Sequence, residues 1–179
     1  MTEGHQPLWE KLRRFRKRPP EDRINILRAA LILPLTELGL RLFGFQRWKN
    51  LIEKFSLPAH LSQSLPADVQ RETAICAVRA VRSVELHGPT RPNCLERSMT
   101  LWWMLRRAGV KGELCIGARK EIGRFEAHAW VELGGQVLND GAEVHEHYVR
   151  FGTPIIAVAG ESQAADKTGS HAAGKAASR

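Results

Sequence analysis

Cys94, His128 and Asp140 follow one another along the chain, each placed where local structure can give it chemical work. Asn93 precedes an apolar-periodic run and Glu96 follows it three residues later, the spacing of a helix-capping box. That puts Cys94 at the first helical position. The N–H groups and positive dipole end of a helix start favour a thiolate over a thiol, and the thiolate is the nucleophile. The same N–H groups can receive the oxyanion of a tetrahedral intermediate. Such a nucleophile needs a base, and the base needs a partner to orient it. His128 lies in a strand pattern and Asp140 closes the next one. Taken singly, each has a plain explanation. Cysteines are mostly small buried hydrophobes, strand histidines mostly packed or solvated, and an Asp after Asn mostly a turn former. Their joint placement points to nucleophilic catalysis.

The elements that must position them read as helices first and strands second. Acidic Glu21 and Asp22 precede a helical pattern of Ile24, Ile26, Leu27, Ala30, Leu31 and Leu33. Pro34 is expected to kink or break it, with a second piece running to Gly44 and a third from Phe45 to Phe55. Leu65-Pro66-Ala67-Asp68 starts another helix, which continues to about Leu86 and closes at His87-Gly88-Pro89. The nucleophile helix is predicted from Cys94 to about Ala108, stopping at Gly109, with Trp102 and Trp103 packing it against the sheet. Residues 113–120, 125–133 and 136–139 read as three short antiparallel strands. In the second, Phe125, Ala127, Ala129, Val131 and Leu133 form one apolar face, with His128 on the other.

The turn at Gly134-Gly135 decides whether the histidine meets the aspartate. A three-residue loop, Leu133-Gly134-Gly135, sets His128 opposite Asp140, with Cβ atoms about 5 Å apart. A two-residue Gly-Gly loop pairs His128 with Gly141 and turns Asp140 to the other face. The triad reading therefore requires the odd-numbered loop, with a glycine in the left-handed conformation.

Composition bounds the rest. The chain has 179 residues, 43% hydrophobic and 26% charged, which excludes a disordered, collagenous or disulfide-dense protein. Three cysteines without a CxxC pair or a secretory signal point to reduced thiols and a cytoplasmic setting. The apolar run Ala29–Leu40 is too short and interrupted to span a bilayer, so membrane contact is not expected. Of the net charge of +8, half comes from residues 1–20, which hold six basic and two acidic residues. The body is close to neutral, so a nucleic-acid role is not expected and the basic arm reads as a mobile tail. The resulting division is a basic arm at 1–20, a helical region at 21–90, a catalytic core at 91–160 and a disordered tail at 161–179.

Several runs together carry a family likeness. These are Asn93-Cys94-Leu95-Glu96-Arg97-Ser98, Leu101 to Gly109, Ile116-Gly117-Ala118-Arg119-Lys120, Phe125 to Glu132, and Leu138-Asn139-Asp140. In type, order and spacing they resemble the transglutaminase-like leader peptidases of bacterial lasso-peptide biosynthesis, over about residues 24–155. The resemblance implies an α+β, transglutaminase-like or papain-like cysteine peptidase fold, with a helical N-terminal part and a nucleophile helix on a small antiparallel sheet. It implies Cys94 as nucleophile, His128 as general base and acid, and Asp140 as the group orienting His128. Some members carry a fused strand-containing RiPP recognition element. The all-helical N-terminal part here implies the stand-alone form, which works with a separate recognition-element protein. A precursor peptide would be the substrate, and an asparagine-synthetase-like macrolactam cyclase a further partner.

Two other functions use the same residues differently. The thioester could pass its acyl group to an amine, as transglutaminases do, or the chain could be a non-catalytic scaffold binding through its helices and arm. Cys76 and Cys115 read as core thiols. His145 and His147, with Glu143 and Glu146, lack a third histidine or a cysteine at ligand spacing, so neither a metal nor any other cofactor is expected. Arg91, just upstream of the nucleophile, reads as a substrate contact or a solvated side chain.

Overall fold

The computed structural model describes residues 15–56, 65–121 and 124–151, together with Arg13. Most of the expected arm, the helix end at Leu57-Pro58 and the whole expected tail at 161–179 lie outside the described residues. Among the described residues the long helices are α1 (Pro20–Phe55), α2 (Ala67–His87) and α3 (Cys94–Arg107). They are followed by β1 (Glu113–Glu121), β2 (Arg124–Leu133) and β3 (Gln136–Val137), then a short α4 (Val144–His147) and β4 (Val149–Arg150). The sheet is antiparallel, in the order β3-β2-β1-β4. The α+β class expected from the sequence is the class observed.

Pro34 does not break α1. The chain stays helical through it and departs from helical geometry at Gly44, where φ is 74°. A proline inside a helix strands the carbonyl four residues earlier. Here that carbonyl belongs to Ala30, and both Ala30 and Pro34 face solvent, so water can satisfy it. Gly44 adopts the left-handed region that a side chain would disfavour. The reversal there lets Trp48 fold back over Gly39, where an added Cβ would meet the indole at 2.3 Å.

One core unites the three helices. Ala29, Leu33, Trp48 and Ile52 of α1 meet Ala74, Ala77, Ala80, Val81 and Val84 of α2 and Met99, Leu101 and Leu105 of α3, with Val131 of β2 joining from the sheet. Trp102 and Trp103, expected to pack α3 against the sheet, share the core with Val131 of β2 and also make ring contacts with α1. Trp103 meets Trp48 edge to face at 5.8 Å, and the ammonium of Lys49 lies 5.8 Å from the Trp102 ring, so both tryptophans join α3 to α1. Among the described residues no helix is long and apolar enough to cross a membrane.

The hairpin loop is the two-residue one. Leu133 pairs with Gln136 and Glu132 with Val137, while Gly134 and Gly135 take φ values of 58° and 80°. Paired positive φ values make a turn whose twist matches the flanking strands. The expected three-residue loop is therefore wrong, yet its consequence survives by another route. The third strand does not run to Asn139 but stops at Val137. Beyond it the chain bends away, and Asp140 is freed from the alternation that would have turned it from His128.

Candidate functional site

The site is built on the open edge of β2. Leu138 N–H still donates to the Val131 carbonyl at 2.9 Å, and there the backbone ladder ends. Side chains then complete the edge. Asn139 Oδ1 accepts from Val131 N–H at 2.8 Å, and Ser98 Oγ of α3 donates to the Ala129 carbonyl at 2.8 Å. Asn139 Nδ2 donates to Ser98 Oγ at 2.8 Å and closes the chain of bonds. The fully buried Ser98 thus ties α3 to the strand edge next to His128.

Asn93 and Glu96 form the capping box that their spacing predicts. Glu96 N–H donates to Asn93 Oδ1 and Asn93 N–H donates to Glu96 Oε2, each at 2.9 Å. Arg97 N–H returns to the Asn93 carbonyl at 3.1 Å. Cys94 and Leu95 are left as the first-turn residues whose N–H groups this arrangement does not consume. The half-buried Cys94 sits four residues before Ser98, on the same helix face and about 6 Å along the axis. Arg97 binds Glu85 of α2 at 2.5 Å, fixing the first turn of α3 against its neighbour.

His128 and Asp140 are brought together through a hydrogen bond between Nε2 and Oδ2. An ionised carboxylate only accepts, so this bond puts the proton on Nε2 and leaves Nδ1 as the basic nitrogen. Burial pushes the Asp140 carboxyl up, but the bond from His128 and the Gly141 N–H outweigh it and hold it below its ordinary range. The positive charge of Arg97 acts in the same direction.

The Tyr148 ring stacks on the His128 imidazole at 4.9 Å, and the Trp130 ring lies stacked with it at 6.3 Å. Nothing in the sequence singled out Tyr148. Ser98 and Asn139 were visible only as members of family-like runs, although a small polar residue one turn after Cys94 was a usable signal.

The second face of the sheet is a small core of Cys115, Trp130 and Val144. The fully buried Trp130 donates its indole N–H to Glu132 at 2.6 Å. Burial pushes Glu132 up, but this bond, the Cys115 thiol and the nearby Arg150 hold it below the ordinary range. Burial and the adjacent Glu132 push the Cys115 thiol up to about 12, which makes it the inert core thiol expected. Cys76 is half-buried, with burial raising its thiol as well. His145 is exposed; it approaches Glu132 at 3.7 Å and meets Trp130 edge-on at the margin of this small core. Donor atoms of Glu113, Cys115 and Glu132 lie within 4.8 Å of one another. Arg150 already places its guanidinium there, 2.9 Å from Glu113 and 3.6 Å from Glu132. Arg91 is exposed.

A helix led by a cysteine, docked on an antiparallel sheet that carries a carboxylate-bound histidine, is consistent with the family comparison. The chain belongs to the transglutaminase-like superfamily, whose family description matches residues 39–153. It is also similar to the microcin J25-processing protein McjB of Escherichia coli, with 37% identity over 54 residues. That match covers 30% of this chain and 25% of McjB, so only about a quarter of the relative's length is represented. No solved structure matches.

Proposed function

We propose that this protein is a cysteine peptidase that removes the leader from a lasso-peptide precursor through Cys94, His128 and Asp140. The observation that carries the reading is the docking of the α3 N-terminus, through Ser98, on the strand edge beside a histidine already steadied by a carboxylate. The partial likeness to a protein named for processing microcin J25 supports the substrate class.

In this reading Nδ1 of His128 takes the thiol proton as Cys94 Sγ attacks the carbonyl at the leader–core junction. The first-turn N–H groups of Cys94 and Leu95 receive the oxyanion, the preorganised stabilisation that acyl transfer needs. His128 then protonates the departing amine of the core peptide, leaving the leader as a thioester. Water, losing a proton to His128, hydrolyses the thioester and releases the leader carboxylate and free Cys94. No metal or cofactor enters any step. A separate recognition-element protein would present the leader and the macrolactam cyclase would consume the core, in the reducing cytoplasm that suits a free thiol.

The test is cleavage of a precursor peptide, with the recognition-element protein supplied, by wild-type protein and by Cys94→Ala. The variant should keep its fold by circular dichroism and lose cleavage. Cleavage by the folded variant overturns the reading.

A further inference from the structure

Besides its bond to Asp140, His128 is held on one ring face by Tyr148, the chain's one tyrosine. Tyr148 is itself fixed from two sides. Its hydroxyl donates to Glu126 Oε1 at 3.0 Å, and the guanidinium of Arg119 lies 5.1 Å from its ring centre. Arg119 also grips the other oxygen of Glu126, through Nε at 2.9 Å and NH2 at 2.7 Å. These three residues come from different strands or strand ends. Arg119 of β1 faces Glu126 of β2 in the sheet register, and Tyr148 immediately precedes β4. The short α4 ends one residue before Tyr148, whose N–H caps it by donating to the Val144 carbonyl at 3.0 Å.

We infer that Tyr148 is a positioning residue for the proposed reaction, clamping the imidazole of His128 with Arg119 and Glu126 as its anchor. The inference rests on the cysteine peptidase reading and adds a group that fixes the ring plane, closer to the imidazole at 4.9 Å than Trp130, whose ring is stacked at 6.3 Å. A hydrogen bond to one carboxylate oxygen fixes one point of an imidazole and leaves the ring free to swing about it. A stacked phenol fixes the plane. With the plane fixed, Nε2 stays on Asp140 and Nδ1 stays directed at one place, so the base does not search for the sulfur. Misplacement of a catalytic group by about 1 Å can cost up to about a hundredfold in rate, and a ring released about one axis falls short of that limit.

The experiment compares wild type with Tyr148→Leu and Tyr148→Phe. Leu removes the stack, while Phe keeps it and loses only the tether to Glu126. Steady-state cleavage should show kcat about tenfold lower for Tyr148→Leu, with KM within about twofold, and Tyr148→Phe restored to within about threefold of wild type. Long-range 1H–15N spectra of His128 at mildly alkaline pH give a second readout that needs no substrate. Wild type and Tyr148→Phe should show the single tautomer with its proton on Nε2, and Tyr148→Leu should show averaged nitrogen shifts. Either an unchanged kcat or an unchanged tautomer pattern in folded Tyr148→Leu overturns the assignment. If Tyr148→Leu does not fold, Tyr148→Met, which also removes the aromatic stack but keeps a long apolar side chain, takes its place with the same two readouts. Wild-type protein that cleaves no precursor defeats the peptidase reading instead, and the spectra still decide the role of Tyr148.

Discussion

Replacing Ser98 by alanine tests the strand-edge construction with a magnitude the structure supplies. The hydroxyl is fully buried, donates to the Ala129 carbonyl and accepts from Asn139 Nδ2, each at 2.8 Å. Alanine leaves both partners without their bond while changing the packing volume by a single oxygen. A stranded buried polar group costs about 1–3 kcal/mol, and Asn139 is only partly buried, so the two together should cost about 2–3 kcal/mol. In a chain of this size each kcal/mol lowers Tm by about 2–4 °C, which gives a fall of about 4–12 °C. Urea titration with circular dichroism measures the loss, and the slope with denaturant should stay constant. Asn139→Ala should cost a similar amount. The double variant should cost clearly less than the sum, because both side chains belong to one network. A Ser98→Ala loss below about 1 kcal/mol, or full additivity with Asn139→Ala, would refute the claim that this network fastens α3 to β2.

Other outcomes follow from the same geometry. At the hairpin, Gly134→Asn should be tolerated, whereas Gly135→Val should lose about 1–2 kcal/mol, since a β-branched side chain opposes a φ of 80°; equal stabilities would contradict the two-residue turn. The folded-state carboxyls of Asp140 and Glu132 titrate below their ordinary values of 3.8 and 4.5. The native state therefore binds fewer protons than the unfolded chain in that window. Their stabilisation is complete above about pH 4.5 and is lost as pH falls below 3.8 through the depressed native values. Asp140→Asn should flatten this acid slope in urea titrations, and parallel slopes for variant and wild type would contradict it. Iodoacetamide at neutral pH should leave the buried Cys115 unmodified until the protein unfolds, because its thiol titrates at about 12. Peptide mapping that finds Cys115 alkylated in the native state would contradict this.

Signals that act within a few residues were readable from the sequence. The Asn93–Glu96 box, the start of α3 at Cys94 and the helix stop at Gly109 are set by local hydrogen bonding and backbone conformation. The family-like runs likewise gave the class of fold. What escaped depends on neighbours distant in sequence. Pro34 survives inside α1 because its face is solvent-exposed, a fact that the proline alone does not carry. The meeting of His128 with Asp140 was expected from strand pairing, but it depends on where pairing stops. That end is set by Asn139 and by Ser98, 41 residues away. The short β4 and the contact of Tyr148 with His128 arise from a two-residue pairing with β1, too brief to leave an alternating pattern.

Mass spectrometry of acid-quenched protein, taken during turnover of a precursor peptide, addresses the catalytic claim most directly. Peptide mapping should find the leader joined through its terminal carbonyl to Cys94, with the adduct decaying as free leader accumulates. It should be absent from Cys94→Ala, and slow to form in His128→Ala. Leader release without any adduct on Cys94, persisting at wild-type rate in Cys94→Ala, would contradict the account.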